Sequence, residues 1–152
     1  MKENYQFKGN WMKGSDRDYG KDDSLYYQDK RNIIVFNEFL INSIEKTYLY
    51  IATLGYSIIT INNQRITEDE LNLVWTQFQK CVYYDVYDVT QYLHVGNNEI
   101  SIELGNGMYN PSPLKLFGKY NLRERLKEVG EPRVICDLIT NEDVILSTDT
   151  SW

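Results

Sequence analysis

The stretch KTYLYIATLGYSIITINNQRI, residues 46–66, decides the class of fold. Tyr48, Tyr50 and Ala52 alternate with Leu49, Ile51 and Thr53, a period of two that puts successive side chains on opposite faces of an extended chain. Its β-branched and aromatic residues favour strand over helix. Gly55 breaks the run, YSIITINN resumes it, and Asn62-Asn63 ends it with a pair close to the Asn-Gly favoured in two-residue hairpin turns. A strand, a break, a second strand and a turn in so short a span point to an antiparallel β-protein.

The segments on either side agree. NIIVFNEFLI (32–41) and CVYYDVYDVTQYL (81–93) have strand composition. HVGNNEISIELGNG (94–107) gives a turn at Gly96-Asn97-Asn98, then a strand with Ile100, Ile102 and Leu104 on one face. PRVICDLITNEDVILSTDTSW (132–152) reads as a hairpin turning at Asn141-Glu142-Asp143. TEDELNLVWTQFQK (67–80) admits two readings. Thr67 and Glu70 have capping-box spacing for a short helix, and a loop anchored by Trp75 fits equally. Residues 110–131 form a long insertion, in which NLRERLKEVG suggests a helical turn ending at Gly130. Residues 1–32 are a polar lead-in with a short edge strand and Trp11 as its anchor; residues 33–152 are the folded unit. About seven to nine short strands with turn signals between them predict an all-β jelly-roll (galactose-binding-like) β-sandwich, with one long loop that holds a short helix.

Composition narrows the function. The 152 residues suit one domain with its own core. A formal net charge of −6, from 22 acids against 16 bases, opposes nucleic acid as partner, since phosphate binding needs clustered cations. No run of 18 apolar residues is present, so no membrane span is expected. The polar start MKENYQFKGNWMKGSDRDYG lacks an apolar signal core, which predicts a cytoplasmic chain or one whose leader has been removed. Cys81 and Cys136 form no CxxC pair and are expected to be reduced, buried thiols. Thirteen tyrosines and three tryptophans serve strands, and they also make platforms for the apolar face of a sugar ring.

Catalytic chemistry is thinly represented. A nucleophilic triad would have to use His94, the only histidine, whose neighbours form no nucleophile elbow. Gly105-Asn106-Gly107 lacks the Lys-Ser/Thr and the helix of a phosphate loop. Glu68, Asp69, Glu70, Asp85, Asp88 and Glu103 are candidate carboxylates, but spacing alone does not separate a hydrolytic pair from a solvated face, and Asp88 reads as opening a turn before Thr90. Binding is better served. Asn106, between two glycines, sits where the backbone can approach a ligand, and its amide can meet sugar hydroxyls. Tyr109 and Trp75 offer stacking faces, with Asp69 and Asn72 as nearby polar groups. The same residues also fit a tight turn with Tyr109 plugging the end of the sandwich.

The segments TLGY, ITINN, LNLVWTQF, YYDVYDVT, GNNEISIE and LGNGMY, in this order and spacing, resemble the N-terminal domain of bacterial α-L-rhamnosidases. GKYNLRERLKEVGEPRVICDL and the terminal STDTSW fit the same pattern, so the resemblance runs over about residues 33–152. It implies a jelly-roll sandwich set ahead of a catalytic helical barrel, the part of those enzymes that carries the hydrolytic acids. A chain of 152 residues has no room for that barrel, so the resemblance implies a non-catalytic accessory domain with the barrel as partner. Some relatives of the sandwich bind L-rhamnose with calcium in the site. L-rhamnose or a rhamnoside is therefore the implied ligand; no cofactor is required, and calcium is the metal the resemblance admits. Packing against the barrel without any sugar is the alternative role. Three positions depart from the pattern. Leu73-Val74 replaces Pro-Gly, which loses a tight turn near Trp75; Asn63 replaces a hairpin glycine; and Met108 replaces a tryptophan beside Asn106.

Overall fold

The computed structural model describes residues 5–14, 26–28, 32–69, 71–72, 74–113, 115–116, 120–126, 128–141 and 143–152. Glu70, Leu73 and Glu142, used in the readings above, lie outside these residues, as does most of the lead-in 1–32.

Two antiparallel sheets face each other. The first contains β1 (Met12–Lys13), β3 (Thr47–Leu54), β6 (Asp85–Asp88), β10 (Arg133–Thr140) and β11 (Asp143–Ser147), in the order β1-β10-β3-β6 with β11 also paired to β10. The second has the order β2-β7-β4-β5, from β2 (Ile33–Ile41), β7 (Gly96–Gly105), β4 (Tyr56–Ile61) and β5 (Gln64–Arg65). The insertion carries a ribbon of β8 (Lys115–Leu116) and β9 (Tyr120–Asn121), followed by the short helix Leu122–Arg125. The expected sandwich, with its short helix in the long loop, is what forms.

Alternation builds the core. Leu49 and Ile51 of β3 and Val134, Cys136 and Leu138 of β10 point inward from one sheet. Ile59, Ile61, Ile100, Ile102 and Leu104 meet them from the other. Each such side chain contributes roughly 1.5–3 kcal/mol when fully buried. Asn62 and Asn63, at φ 51° and 63°, form the two-residue turn from β4 to β5, using the left-handed region that asparagine tolerates best after glycine. Asn141, at φ 47°, starts the last hairpin.

One open reading closes and two expectations change. Residues 67–80 form no helix over the described part, because Ile66 and Thr67 are buried alongside β4, where Thr67 Oγ1 accepts from Ile59 N at 3.3 Å. Trp11 is exposed and does not anchor the lead-in. Tyr5 does so instead, stacking on Tyr50 with centroids 4.3 Å apart, while Phe7 meets Tyr84 edge-on. Cys81 is exposed, since it follows the turn at Gln77–Lys80 rather than lying in a strand, whereas Cys136 is buried in β10. Burial, with Asp137 next to it, pushes the Cys136 thiol well above its ordinary value, and the thiolate is the reactive form. A thiol reagent is therefore expected to titrate Cys81 alone in the folded chain, and Cys136 only after denaturant. Equal reaction of both under native conditions would contradict this core.

Candidate functional site

The turn after β7 folds inward. Gly107 has φ 54°, and the backbone carbonyl of Asn106 accepts from Asn110 N at 3.1 Å, closing a five-residue turn. The Asn106 side-chain oxygen accepts from Asn110 Nδ2 at 2.7 Å, so this acceptor is occupied inside the protein. Asn110 has no exposed surface. Tyr109 is only 5% exposed. Its ring meets Phe78 edge-on at 5.5 Å, with the Arg133 guanidinium 5.9 Å above it. Tyr109 thus offers little surface to a ligand.

Asn72 is likewise committed. Its Oδ1 accepts from Ser57 N at 3.1 Å, and its Nδ2 donates to Ser57 O at 3.2 Å and to Ser57 Oγ at 3.0 Å. One side chain thereby imitates a strand partner for β4 and pins the loop. Asp69 is exposed and acts on the Tyr87 hydroxyl, whose pKa is raised mainly by burial and then by Asp85.

Trp75 stands apart from these. It is 55% exposed, so it does not anchor its loop. Lys80 N and Cys81 N both donate to Gln77 O, at 2.7 and 3.0 Å, which curls the chain just beyond it. The segment forms one wall of an open cleft of about 710 Å³. Its described lining is Trp75, Thr76, Gln77, Phe78, Gln79, Lys80, Arg125, Leu126 and Glu128. Of the five residues expected at a ligand, Trp75 alone lines this cleft; Asn106, Tyr109, Asp69 and Asn72 do not. Sequence reasoning missed Arg125 and Glu128, which arrive from the long insertion, and also Gln77 and Gln79, whose alternation with Phe78 was the one visible signal.

The other candidates have ordinary employment. Asp88 Oδ1 accepts from Thr90 N at 3.1 Å and Thr90 Oγ1 at 2.6 Å, and these bonds hold its carboxyl below the usual range. His94 is exposed, with Nδ1 3.2 Å from Asn62 Nδ2. Burial raises the pKa of Asp85. Among the described residues, no three His, Cys, Asp or Glu side chains gather as a metal-ion cage.

Residues 42–152 match the model of the Alpha-L-rhamnosidase N-terminal domain. The chain belongs to that family. An α-L-rhamnosidase of Formosa agariphila is 31% identical over 84 residues, which are 55% of this chain and 8% of that protein. The solved native α-L-rhamnosidase of Aspergillus terreus superposes with a TM-score of 0.75 at 21% identity, over 95% of this chain and 16% of that one. The Streptomyces avermitilis α-L-rhamnosidase, solved complexed with L-rhamnose, gives 0.62 at 21% identity, over 76% and 11%. At such identities the solved structures show a shared fold. The chain spans a small part of each of these relatives, 8–16% of their length. The family match starts at Asn42, whereas the sandwich also uses β1 and β2 ahead of it.

Proposed function

We propose that this chain is a non-catalytic accessory domain of an α-L-rhamnosidase-like glycoside hydrolase, and that its Trp75 cleft binds a carbohydrate of the L-rhamnose class. The observation that carries the reading is the exposed Trp75 ring on a cleft rimmed by Gln77, Gln79, Arg125 and Glu128. An indole face packs on sugar C–H groups, and the amides and charges around it match hydroxyls. Glu128 is the single carboxylate among the described lining residues. Glycoside hydrolysis ordinarily takes two carboxyl groups flanking the bond, so the cleft fits binding better than turnover. The rhamnose complex of the Streptomyces avermitilis relative makes L-rhamnose the first ligand to try. No described helix is long and apolar enough to cross a membrane. The two free cysteines, one of them exposed, suit the reducing cytoplasm.

Calorimetric titration with L-rhamnose, with and without calcium, is the test. Saturable millimolar binding is expected for the wild-type chain and no binding for Trp75→Ala. Equal binding by wild type and Trp75→Ala would remove the cleft from the reading.

A second reading, packing against the helical barrel of a longer enzyme, has its own support. Ile34, Phe36 and Leu40 point outward from the edge strand β2, exposed by 57, 56 and 58%. An apolar row on a nine-residue edge strand is a surface that proteins usually cover. Absence of sugar binding in the titration would favour this role.

A further inference from the structure

The two walls of the Trp75 cleft come from distant parts of the chain, residues 75–80 and 125–128, yet both are tied to Tyr109, and the second also to its neighbour Asn110. The Tyr109 ring supports Phe78 edge-on at 5.5 Å, which fixes the first wall. The Tyr109 carbonyl accepts from Gly130 N at 3.1 Å, which holds the far end of the second. The near end hangs on Asn110. Arg123 Nη1 donates to Asn110 Oδ1 at 2.5 Å and to Pro111 O at 3.2 Å. Its guanidinium also lies 5.4 Å from the Tyr26 ring, and Tyr26 OH donates to Asn110 O at 3.2 Å. Asn110 itself is fixed, because its N and Nδ2 both donate to Asn106.

Helix geometry carries this anchorage to the cleft. Residues two apart on a helix point to nearly opposite sides, about 200° around the axis. With Arg123 turned toward Asn110, Arg125 is turned away from it and into the cleft. The glycines of the turn let its backbone pack tightly enough for this. A Cβ on Gly107, at φ 54°, would stand 3.2 Å from Gly55 Cα.

We propose that Asn110 and Arg123 are positioning residues that set the separation of the two cleft walls, so that the LGNGMYN turn serves ligand binding at one remove rather than by contact. This rests on the carbohydrate reading of the cleft, but part of its test does not. The probe is the 152-residue chain labelled with fluorotryptophan, which gives one fluorine resonance per tryptophan, Trp75 being assigned by Trp75→Phe. Arg123→Ala is expected to move the Trp75 resonance and leave those of Trp11 and Trp152 in place. It should also weaken L-rhamnose binding about tenfold, the scale of one lost charged hydrogen bond. Arg123→Lys, which restores one cationic donor, is expected to recover part of both effects. A purely structural role would instead lower the melting temperature and leave the Trp75 signal where it was.

An unmoved Trp75 resonance in Arg123→Ala overturns the proposal, whether or not sugar binds. A moved resonance with unchanged affinity overturns it as well, since the wall would then be irrelevant to the ligand. If the wild-type chain binds no L-rhamnose while the resonance moves, the carbohydrate reading fails and the positioning of the walls stands. Asn110→Ala is the harsher variant. Should it fail to fold, Arg123→Ala and Arg123→Lys still decide the matter.

Discussion

Gly55→Ala is expected to lower the urea midpoint by more than half, or to leave the chain unfolded. Two independent costs add at this position. Gly55 has φ 123°, a backbone region almost closed to residues with a Cβ, and forcing such a residue there costs on the order of 1–3 kcal/mol. The new Cβ would also stand 2.3 Å from Gly105 O and 3.0 Å from Pro132 Cβ. Neither neighbour can yield easily. Gly105 is paired with Tyr56 in the ladder between β7 and β4, and Pro132 is buried beside β10. Overpacking against fixed backbone adds about 1–3 kcal/mol more, and at its upper end the sum reaches the stability of a small domain near the lower end of the usual range of about 5–15 kcal/mol. Gly96→Ala is the control. Gly96 has φ 108°, but an added Cβ there would meet nothing within 4 Å, so only the backbone cost applies. A denaturation series in which both variants lose the same stability would show that the contact with Gly105 is unimportant.

The same glycine shows what the sequence could convey. Its interruption of a β-pattern was visible, and so was Asn62-Asn63 as a turn, because both are local properties of the backbone. Ile100, Ile102 and Leu104 were readable as an inward face for the same reason: period two is written in neighbouring residues, and their burial follows. That Gly55 would lie against Gly105 was not legible, since no spacing encodes which of the glycines meet across a sandwich.

The site divides along the same line. Trp75 could be singled out as an aromatic in a polar segment, and it stands on the cleft. Gly-Asn-Gly has the local look of a ligand loop, but the loop turns inward on Gly55, and Tyr109 goes with it to Phe78. Arg125 and Glu128 line the cleft beside Arg123 and Gly130, which are tied back to Asn110 and Tyr109. Those ties join an insertion of weak pattern to a turn, and only the assembled fold brings them together. The lead-in was half legible. A short edge strand was expected in it, and β1 pairs there with β10, but no spacing says that a carboxylate of β10 will hold residues 5–9.

What holds them is Asp137, and Asp137→Ala is expected to detach residues 5–9 and to cost about 2–4 kcal/mol. Asp137 lies in the apolar run VICDLI of β10 and has no exposed surface. A buried carboxylate is costly unless its oxygens are hydrogen-bonded. Here Oδ2 accepts from Tyr5 OH at 2.6 Å and Lys8 N at 2.7 Å. Oδ1 accepts from Gly9 N at 3.0 Å and Ser147 Oγ at 2.6 Å. Hydrogen bonds to a charged group contribute roughly 1.5–3 kcal/mol each, but the donors released from a surface segment regain water, so the four do not simply sum. Detachment also unstacks Tyr5 from Tyr50. Burial and then the bond to Asp137 raise the Tyr5 hydroxyl's pKa; in the variant its ionisation should begin at lower pH, nearer the ordinary tyrosine range. Hydrogen exchange at Lys8 and Gly9 should become fast, with β3 and β7 still protected. Asp137→Asn separates charge and acceptors from shape, since its amide nitrogen would face donors where an oxygen now accepts. It is expected to be at least as damaging as alanine; an asparagine variant with wild-type stability and slow exchange at Lys8 and Gly9 would mean that packing of Tyr5 and Phe7, rather than the carboxylate, fastens the segment to the sheet.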